Sequence, residues 1–593
     1  MDIRNIFFGI IGGCALMMGA ASCVKTDFTV GSNFLPENER FKTRILTIAI
    51  DSIEQRSLEK LSGYSNVRMC VGSMRDEING VERVTRKGSA VTLIPISDTL
   101  DWGQNPKFDK FMLVTAKDTT NVISEDQRFI MQNLRIYNLA DIYEAGELGE
   151  KSFTDKFKYT NDIKPSMFKG KECVTQGTPV YGGEKNIIIP FNEKFAESYM
   201  GKGKEVLEDL EVEDSDGEKT TIDKASVYTR KHPGIYICTD DPVGMGGRFN
   251  FIKMAVQTDD SYAITNCYAE LKFNAEFEKN GKMRRRDTSI VFLLGADAVS
   301  SSANYYAFNT CEDEFSSEIN FGKAEEYITV DGGTGIKPMI RAEYLRREII
   351  KKLKEELKDE YSSQEVDDMA IAEQLIINRA TINMPYELPE NHKLWQFYPH
   401  TLNPTVCVKS SDGNDLNYAG LTDASVSDEN QGEIDRSNLC YHPDISHHMQ
   451  QILAVPATEK DSLNKYNIWF MILAEETYAT QTQTNSNQDY YNQMAYLSYY
   501  NQMMGGYGYG YGGYGYGGYG GYGNYGYNNY YNYYMMQAYY NSLNSGSNTT
   551  TASMLDKDRY YACKLNGPKA ADPERRPYLS IVYSYVPASS EEE

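Results

Sequence analysis

The 593-residue chain is 41% hydrophobic and carries a formal net charge of -23. Such a length and apolar content allow a large buried core and more than one domain. The charge excludes the phosphate-neutralising surface that nucleic-acid binding requires, and it sets the folded body against anionic lipid headgroups.

Residues 1–22 read as a signal peptide. Arg4 supplies the basic n-region, and the apolar run Ile6 to Met18 is too short to span a bilayer as a permanent helix. Gly19-Ala20-Ala21-Ser22 then presents small residues directly before Cys23. A cysteine at this place is what lipoprotein processing acylates, although Ala20 stands where leucine is usual. Each buried methylene of such an anchor contributes ~0.8 kcal/mol, so several acyl chains hold a protein on a membrane without a protein helix. Residues 23–41 follow as a lipidated linker.

From residue 42 the pattern changes to short strands rich in β-branched and aromatic residues, bounded by turn signals such as Asn79-Gly80 and Asn280-Gly281. Arg44 to Ile50, Lys110 to Val114, Asn186 to Ile189 and Gly234 to Cys238 are examples. The strongest hairpin signal runs from Tyr268 to Phe277, turns at Glu278 to Lys282, and returns over Ser289 to Leu294. Its tip carries Arg284-Arg285-Arg286, which reads as solvated charge or as a contact for lipid A phosphates or an acidic partner. Asp214, Asp216 and Gly217 have the wrong spacing for a calcium loop and read as an acidic turn. There is no βαβ rhythm, so residues 42–322 are expected to form an N-terminal antiparallel β-sandwich.

Residues 323–593 are expected to form a second, C-terminal β-sandwich with two insertions. The first spans 341–374, where Leu345, Ile349, Ile350, Leu353 and Leu357 recur at helical spacing and Ser362 with Glu365 forms a capping box. Strands resume at Leu375 to Asn383, Thr405 to Val408 and Asn467 to Leu473, and the chain closes on the alternating segment Tyr578 to Tyr585. The second insertion, 480–551, is Gly/Tyr-rich and uncharged between Asp489 and Asp556. A composition of this kind cannot bury a conventional core. It reads as a disordered or loosely stacked loop, serving either as a tolerated expansion or as a sticky tether for self-association or for glycan and envelope surfaces.

Candidate chemistry is sparse. His442, His447 and His448 cluster with Asp444, but Pro443 interrupts helical zinc-ligand spacing, and a helix beginning near Pro443 explains the segment without a metal. No catalytic motif, metal site or cofactor is expected, and the chain reads as a non-enzyme. Trp395, Phe397 and Tyr398 form a compact aromatic group, read either as hydrophobic packing or as a platform for sugars. The cysteines beyond Cys23 are scattered without Cys-x-x-Cys spacing, which leaves disulfides and buried free thiols both open.

Several segments together resemble one known family. They are Cys23 with Gly31-Ser32-Asn33-Phe34-Leu35-Pro36, Ile50-Asp51-Ser52-Ile53, Tyr327 to Lys337, Ile377 to Pro385, Tyr441 to Leu453, and Leu579 to Tyr583. The chain resembles the Bacteroidota lipoprotein family catalogued as domain of unknown function four-two-seven-zero. Two departures are the helical stretch and the Gly/Tyr-rich segment. Val24-Lys25-Thr26-Asp27 also resembles the lysine-plus-acid tags that send such lipoproteins to the cell surface. The resemblance implies an envelope lipoprotein of β-sandwiches and supplies no catalytic residues. The expectation is therefore a mainly β protein of two jelly-roll-like sandwiches, lipid-anchored to the outer membrane on its periplasmic face or at the cell surface. Its role would be non-enzymatic binding or scaffolding toward an envelope protein or glycan. Glycan binding or processing, and adhesion or matrix formation through the Gly/Tyr-rich segment, are the alternatives.

Overall fold

A computed structural model describes residues 40–587, apart from 59, 65–67, 123–124, 145–152, 214–218, 223, 254–255, 259–260, 264–266, 295–306, 319–324, 390–391, 410–415, 427–429, 457, 480–548 and 557–558. The signal segment, Cys23, the acidic turn at Asp214 and nearly all of the Gly/Tyr-rich insertion lie outside the described residues. The protein is mainly β, with its strands in antiparallel sheets.

The N-terminal unit is built on a 13-stranded sheet. Its organising element is the strand Thr99–Val122, which pairs with Tyr268–Lys279 along one stretch and with Gly246–Lys253 along another. The hairpin read from sequence spans Tyr268–Lys279 and Lys282–Leu294. Asn280 and Gly281 both adopt left-handed φ, 55° and 72°, as a two-residue turn of this twist requires. Along Tyr268–Lys279 burial alternates with the sequence, so Ala269, Leu271, Phe273 and Ala275 face the core while Glu270, Lys272 and Asn274 do not. Each buried Leu or Phe contributes roughly 1.5–3 kcal/mol. Arg284, Arg285 and Arg286 are exposed on the return strand, where Arg286 lies over the Phe277 ring and Arg285 bonds Asn274.

The C-terminal unit contains two larger sheets, the two-stranded sheet of Tyr327–Asp331 with Ala562–Asn566, and a helical layer around one apolar core. The first sheet runs in the order Lys42–Ala49, Tyr578–Tyr585, Ile376–Pro385, Cys440–Tyr441 and Ile434–Asp435. The second runs Glu54–Ser57, Ile336–Ile340, Ile468–Ala479, Thr401–Lys409 and Leu416–Gly420, with Thr549–Leu555 added beside Ile468–Ala479. The boundary expected at residue 42 is thus displaced. The strands Lys42–Ala49 and Glu54–Ser57 belong to the sheets of the second unit, and the N-terminal sheet begins at Arg68. Backbone pairing with Tyr578–Tyr585 gives the first strand a partner for every one of its residues, which local pattern alone does not reveal.

The helical insertion spans Ala342–Leu357 and Ser363–Ile371. Leu345, Ile349, Leu353 and Leu357 are buried against the strands, and the Ser362–Glu365 capping box forms in both directions. A later helix covers Ser446–Ala454 and begins three residues after the expected Pro443 start. Asp444 lies before it, accepting from the Ser446 N–H at 3.1 Å and from its hydroxyl at 3.1 Å.

The two units meet over a buried ionic cluster. Arg83 of the strand Val81–Val91 grips Asp76 through two nitrogens and Asp331 of the strand Tyr327–Asp331 through a third. Beside it, Lys87 Nζ sits 2.7 Å from the Tyr560 ring centroid. The Asn121 side chain donates to the Tyr560 carbonyl at 2.7 Å. Tyr560, with φ of 53°, thereby inserts into a pocket of Cys70, Met74, Phe249, Phe251 and Cys311 on the first unit. Its loop is held by Asp556, whose buried carboxylate accepts from the N–H groups of Arg559, Tyr560 and Tyr561.

Candidate functional site

The short strands Ile434–Asp435 and Cys440–Tyr441 form a hairpin at the edge of the first C-terminal sheet. Its turn is made by Asp435 itself. Oδ1 accepts from the N–H groups of Ser437 and Asn438 at 2.8 and 3.0 Å, and Oδ2 accepts from the Asn438 side chain at 2.7 Å. Asx side chains close turns in this way because they reach their own backbone two or three residues on. Leu439 completes the reversal at φ 52°.

This hairpin brings three donor groups together. In its register Asp435 stands opposite Cys440. Alternate residues of an extended chain share a face, so Cys440 and His442 lie on one side and Tyr441 on the other. Tyr441 is fully buried and donates to the Pro399 carbonyl at 2.8 Å. Cys440 Sγ lies 3.6 Å from His442 Nδ1, and Asp435 Oδ2 lies 4.0 Å from the same nitrogen. All three donors fall within 4.8 Å of one another. Asp435 is held below the ordinary carboxylate range by its hydrogen bonds from Asn438 and Ser437. Burial, helped by the Asp435 charge and opposed by Arg575, pushes the Cys440 thiol up to about 11.

A nucleophilic relay would use the two ring nitrogens of histidine for different partners, one for the thiol and the other for the carboxylate. Here sulfur and carboxylate both approach Nδ1. The arrangement converges on a point, as a cation's donors do, and does not form a chain.

The aromatic group sits next to this hairpin. Trp395 and Tyr398 stack on each other at 5.1 Å and 30°, and both meet Tyr386. They are half-buried and packed against the C-terminal core, and the Tyr398 hydroxyl donates to the Glu387 carbonyl. Arg436, from the turn itself, lies over Trp395 at 5.6 Å, and Arg575 donates to the Tyr386 carbonyl at 2.6 Å. The rings are thus committed to one another and to the core. The backbone of Phe397 ends the turn of 3-10 helix His392–Phe397, while its side chain lies outside the described residues.

The histidines grouped by sequence separate in space. His448 is buried and Nε2 meets the Tyr466 carbonyl at 2.9 Å, while burial pushes it down to about 4. Asp423 accepts from the backbone N–H groups of His447 and His448 at the helix start. His447 turns its ring to Gln451. Of these three, only His442 reaches other ligand-type side chains among the described residues, and its partners Asp435 and Cys440 lie outside that grouping. The signal that would have found them is a cysteine two residues before a histidine, preceded across a turn-rich Arg436-Ser437-Asn438-Leu439 by an aspartate. Among the described cysteines none is paired in a disulfide. Comparison with family models, with curated proteins and with solved structures finds no match to this chain.

Proposed function

We propose that the chain is a lipid-anchored envelope protein with a non-enzymatic binding or scaffolding role, in keeping with the family it resembles. The observation that carries this reading is how the segment after Cys23 enters the fold. The strand Lys42–Ala49 is zipped residue for residue along Tyr578–Tyr585, from Lys42 opposite Tyr585 to Ala49 opposite Tyr578. Backbone pairing along the whole strand ties the segment that follows Cys23 into the second unit. Arg44 adds to the hold, donating to the Glu356 carbonyl at 3.0 Å and to Glu360 at 2.9 Å. Such an attachment suits a protein that holds a partner at a membrane.

Metabolic labelling with an alkyne palmitate analogue tests the anchor. Wild-type chain should incorporate label, and Cys23→Ser should not and should leave the membrane fraction. Label retained in Cys23→Ser, or absent from the wild type, would overturn the reading. Cross-linking in intact cells followed by mass spectrometry then identifies what the scaffold holds.

A further inference from the structure

We propose that Asp435, Cys440 and His442 form a binding site for a borderline-soft divalent cation, of which Zn2+ is the type, with a fourth coordination position open to water or an external donor. The inference is independent of the proposed anchor and scaffolding role.

The donor chemistry selects the ion class. A thiolate, an imidazole and a carboxylate together suit zinc or cobalt, whereas magnesium and calcium take oxygen ligands almost exclusively. The geometry agrees. With Zn–S of ~2.3 Å and Zn–N or Zn–O of ~2.0–2.1 Å, tetrahedral neighbours stand roughly 3.3–3.6 Å apart. Sulfur and Nδ1 are already at 3.6 Å, and the carboxylate oxygen, at 4.0 Å, closes the difference by a small rotation. Both face one ring nitrogen, so a single ion would satisfy all three.

The supporting shell is also present. The Asp435 carboxylate is aimed by Ser437 and Asn438, as ligating carboxylates are aimed by hydrogen bonds in metal sites. Cys440 is buried, while the side chains of Asp435 and His442 retain 20% and 28% exposure, so the donor set opens toward solvent on one side. Such an ion would also clamp the hairpin, which the rest of the sheet holds along one side alone. Its strands are two residues long, and a ladder of that length has little stability of its own. A cation would also compensate the charge of Asp435 and of a Cys440 thiolate in a partly buried place.

Titrating the full chain with Co2+ tests the site, because thiolate coordination produces a sulfur-to-cobalt charge-transfer band that carboxylate or imidazole alone does not. The wild type should show this band, saturating at a single Co2+ per chain, and added Zn2+ should bleach it. Cys407→Ser, at the described cysteine of the other C-terminal sheet, should leave it unchanged. Cys440→Ser should abolish it. Asn438→Ala, which removes the side-chain bond to Asp435 Oδ2 and leaves the two backbone bonds of the turn, should keep the band and weaken affinity about 10–100-fold. Asp435→Asn is nearly isosteric and guards against misfolding of the cysteine variant; it should weaken Co2+ binding at unchanged circular dichroism. No band in the wild type, a band surviving in Cys440→Ser, or unaltered affinity in Asp435→Asn would each overturn the proposal.

Discussion

Arg83 Nη1 lies 2.5 Å from Asp331 Oδ2, and this ion pair joins a strand of the N-terminal sheet to a strand of the C-terminal unit. Arg83 is only 6% exposed and spends its two other nitrogens on Asp76. Burial alone would raise the Asp331 pKa, but the charge and hydrogen bond of Arg83, with Lys337 behind them, hold it below the ordinary range. Arg83 is sealed in the junction, while the Asp331 side chain keeps 16% of its exposure.

Removing one partner should therefore cost more than a surface salt bridge. Asp331→Asn leaves the guanidinium buried with Asp76 as its remaining carboxylate, and the expected loss is about 3 kcal/mol in denaturant unfolding. Arg83→Met should cost more than Asp331→Asn, because it strips both Asp76 and Asp331 of their shared cation. A single-variant cost under about 1 kcal/mol would mean that the pair behaves as a solvent-exposed one.

Tyr560 is the apolar half of the same junction. Its ring is 3% exposed among side chains contributed by the other unit, so Tyr560→Ala should destabilise by about 3–5 kcal/mol through lost burial and the cavity left behind. Tyr560→Phe keeps the ring and should cost much less. Limited proteolysis gives a second readout: cleavage between Leu555 and Ala562 should accelerate in the alanine variant well before global unfolding.

Acid should weaken the fold through His448. Burial pushes its pKa down to about 4, against the opposing pull of the Tyr466 carbonyl. The unfolded chain therefore takes up its proton first, near pH 6.5. The stabilisation is complete above that pH and is lost as pH falls from about 6.5 to 4, for a total of about 3 kcal/mol. His232, likewise lowered to about 4 by burial, contributes in the same direction. Asp423, raised to about 6 by burial, acts in the opposite one, since its folded state gains a proton before the unfolded state does. Differences between variants isolate the histidine. His448→Gln retains a donor for Tyr466, and its stability relative to the wild type should improve by about 3 kcal/mol between pH 7 and pH 4. A constant difference across that range would show that His448 does not titrate with folding.

The parts of this fold that were legible are those whose physics is local. The Tyr268–Lys279 strand announces itself by alternation, and the helix Ala342–Leu357 by Leu345, Ile349, Leu353 and Leu357 on one face. What was hidden depends on partners far along the chain. Nothing in Lys42–Ala49 says that its partner is Tyr578–Tyr585, so local pattern alone places the first strand with the strands that follow it. Arg83 and Lys87 look like the wet side of a strand until Asp331 and Tyr560 arrive from the other unit. The candidate site is hidden for a related reason. His442 neighbours His447 and His448 in sequence, whereas a two-residue pairing register places Asp435 and Cys440 beside it in space.

The Gly/Tyr-rich insertion is carried by a hairpin whose described strands are paired from Leu473 opposite Leu555 to Ala479 opposite Thr549. Leu473 and Leu555 are buried at its base, so register is fixed there and not by the intervening residues. Loop closure costs entropy that grows with the logarithm of loop length, about 0.6 kcal/mol per doubling. Replacing residues 480–548 with a four-residue turn centred on Asn-Gly shortens the loop by roughly four halvings, which should stabilise the C-terminal unit by about 2 kcal/mol. Thermal unfolding of the shortened chain checks this: a raised midpoint with unchanged circular dichroism is expected. A lowered midpoint would mean that the insertion contributes contacts to the folded units. The same variant separates the adhesion alternative from scaffolding, because cells carrying it should lose aggregation only if the insertion is what sticks.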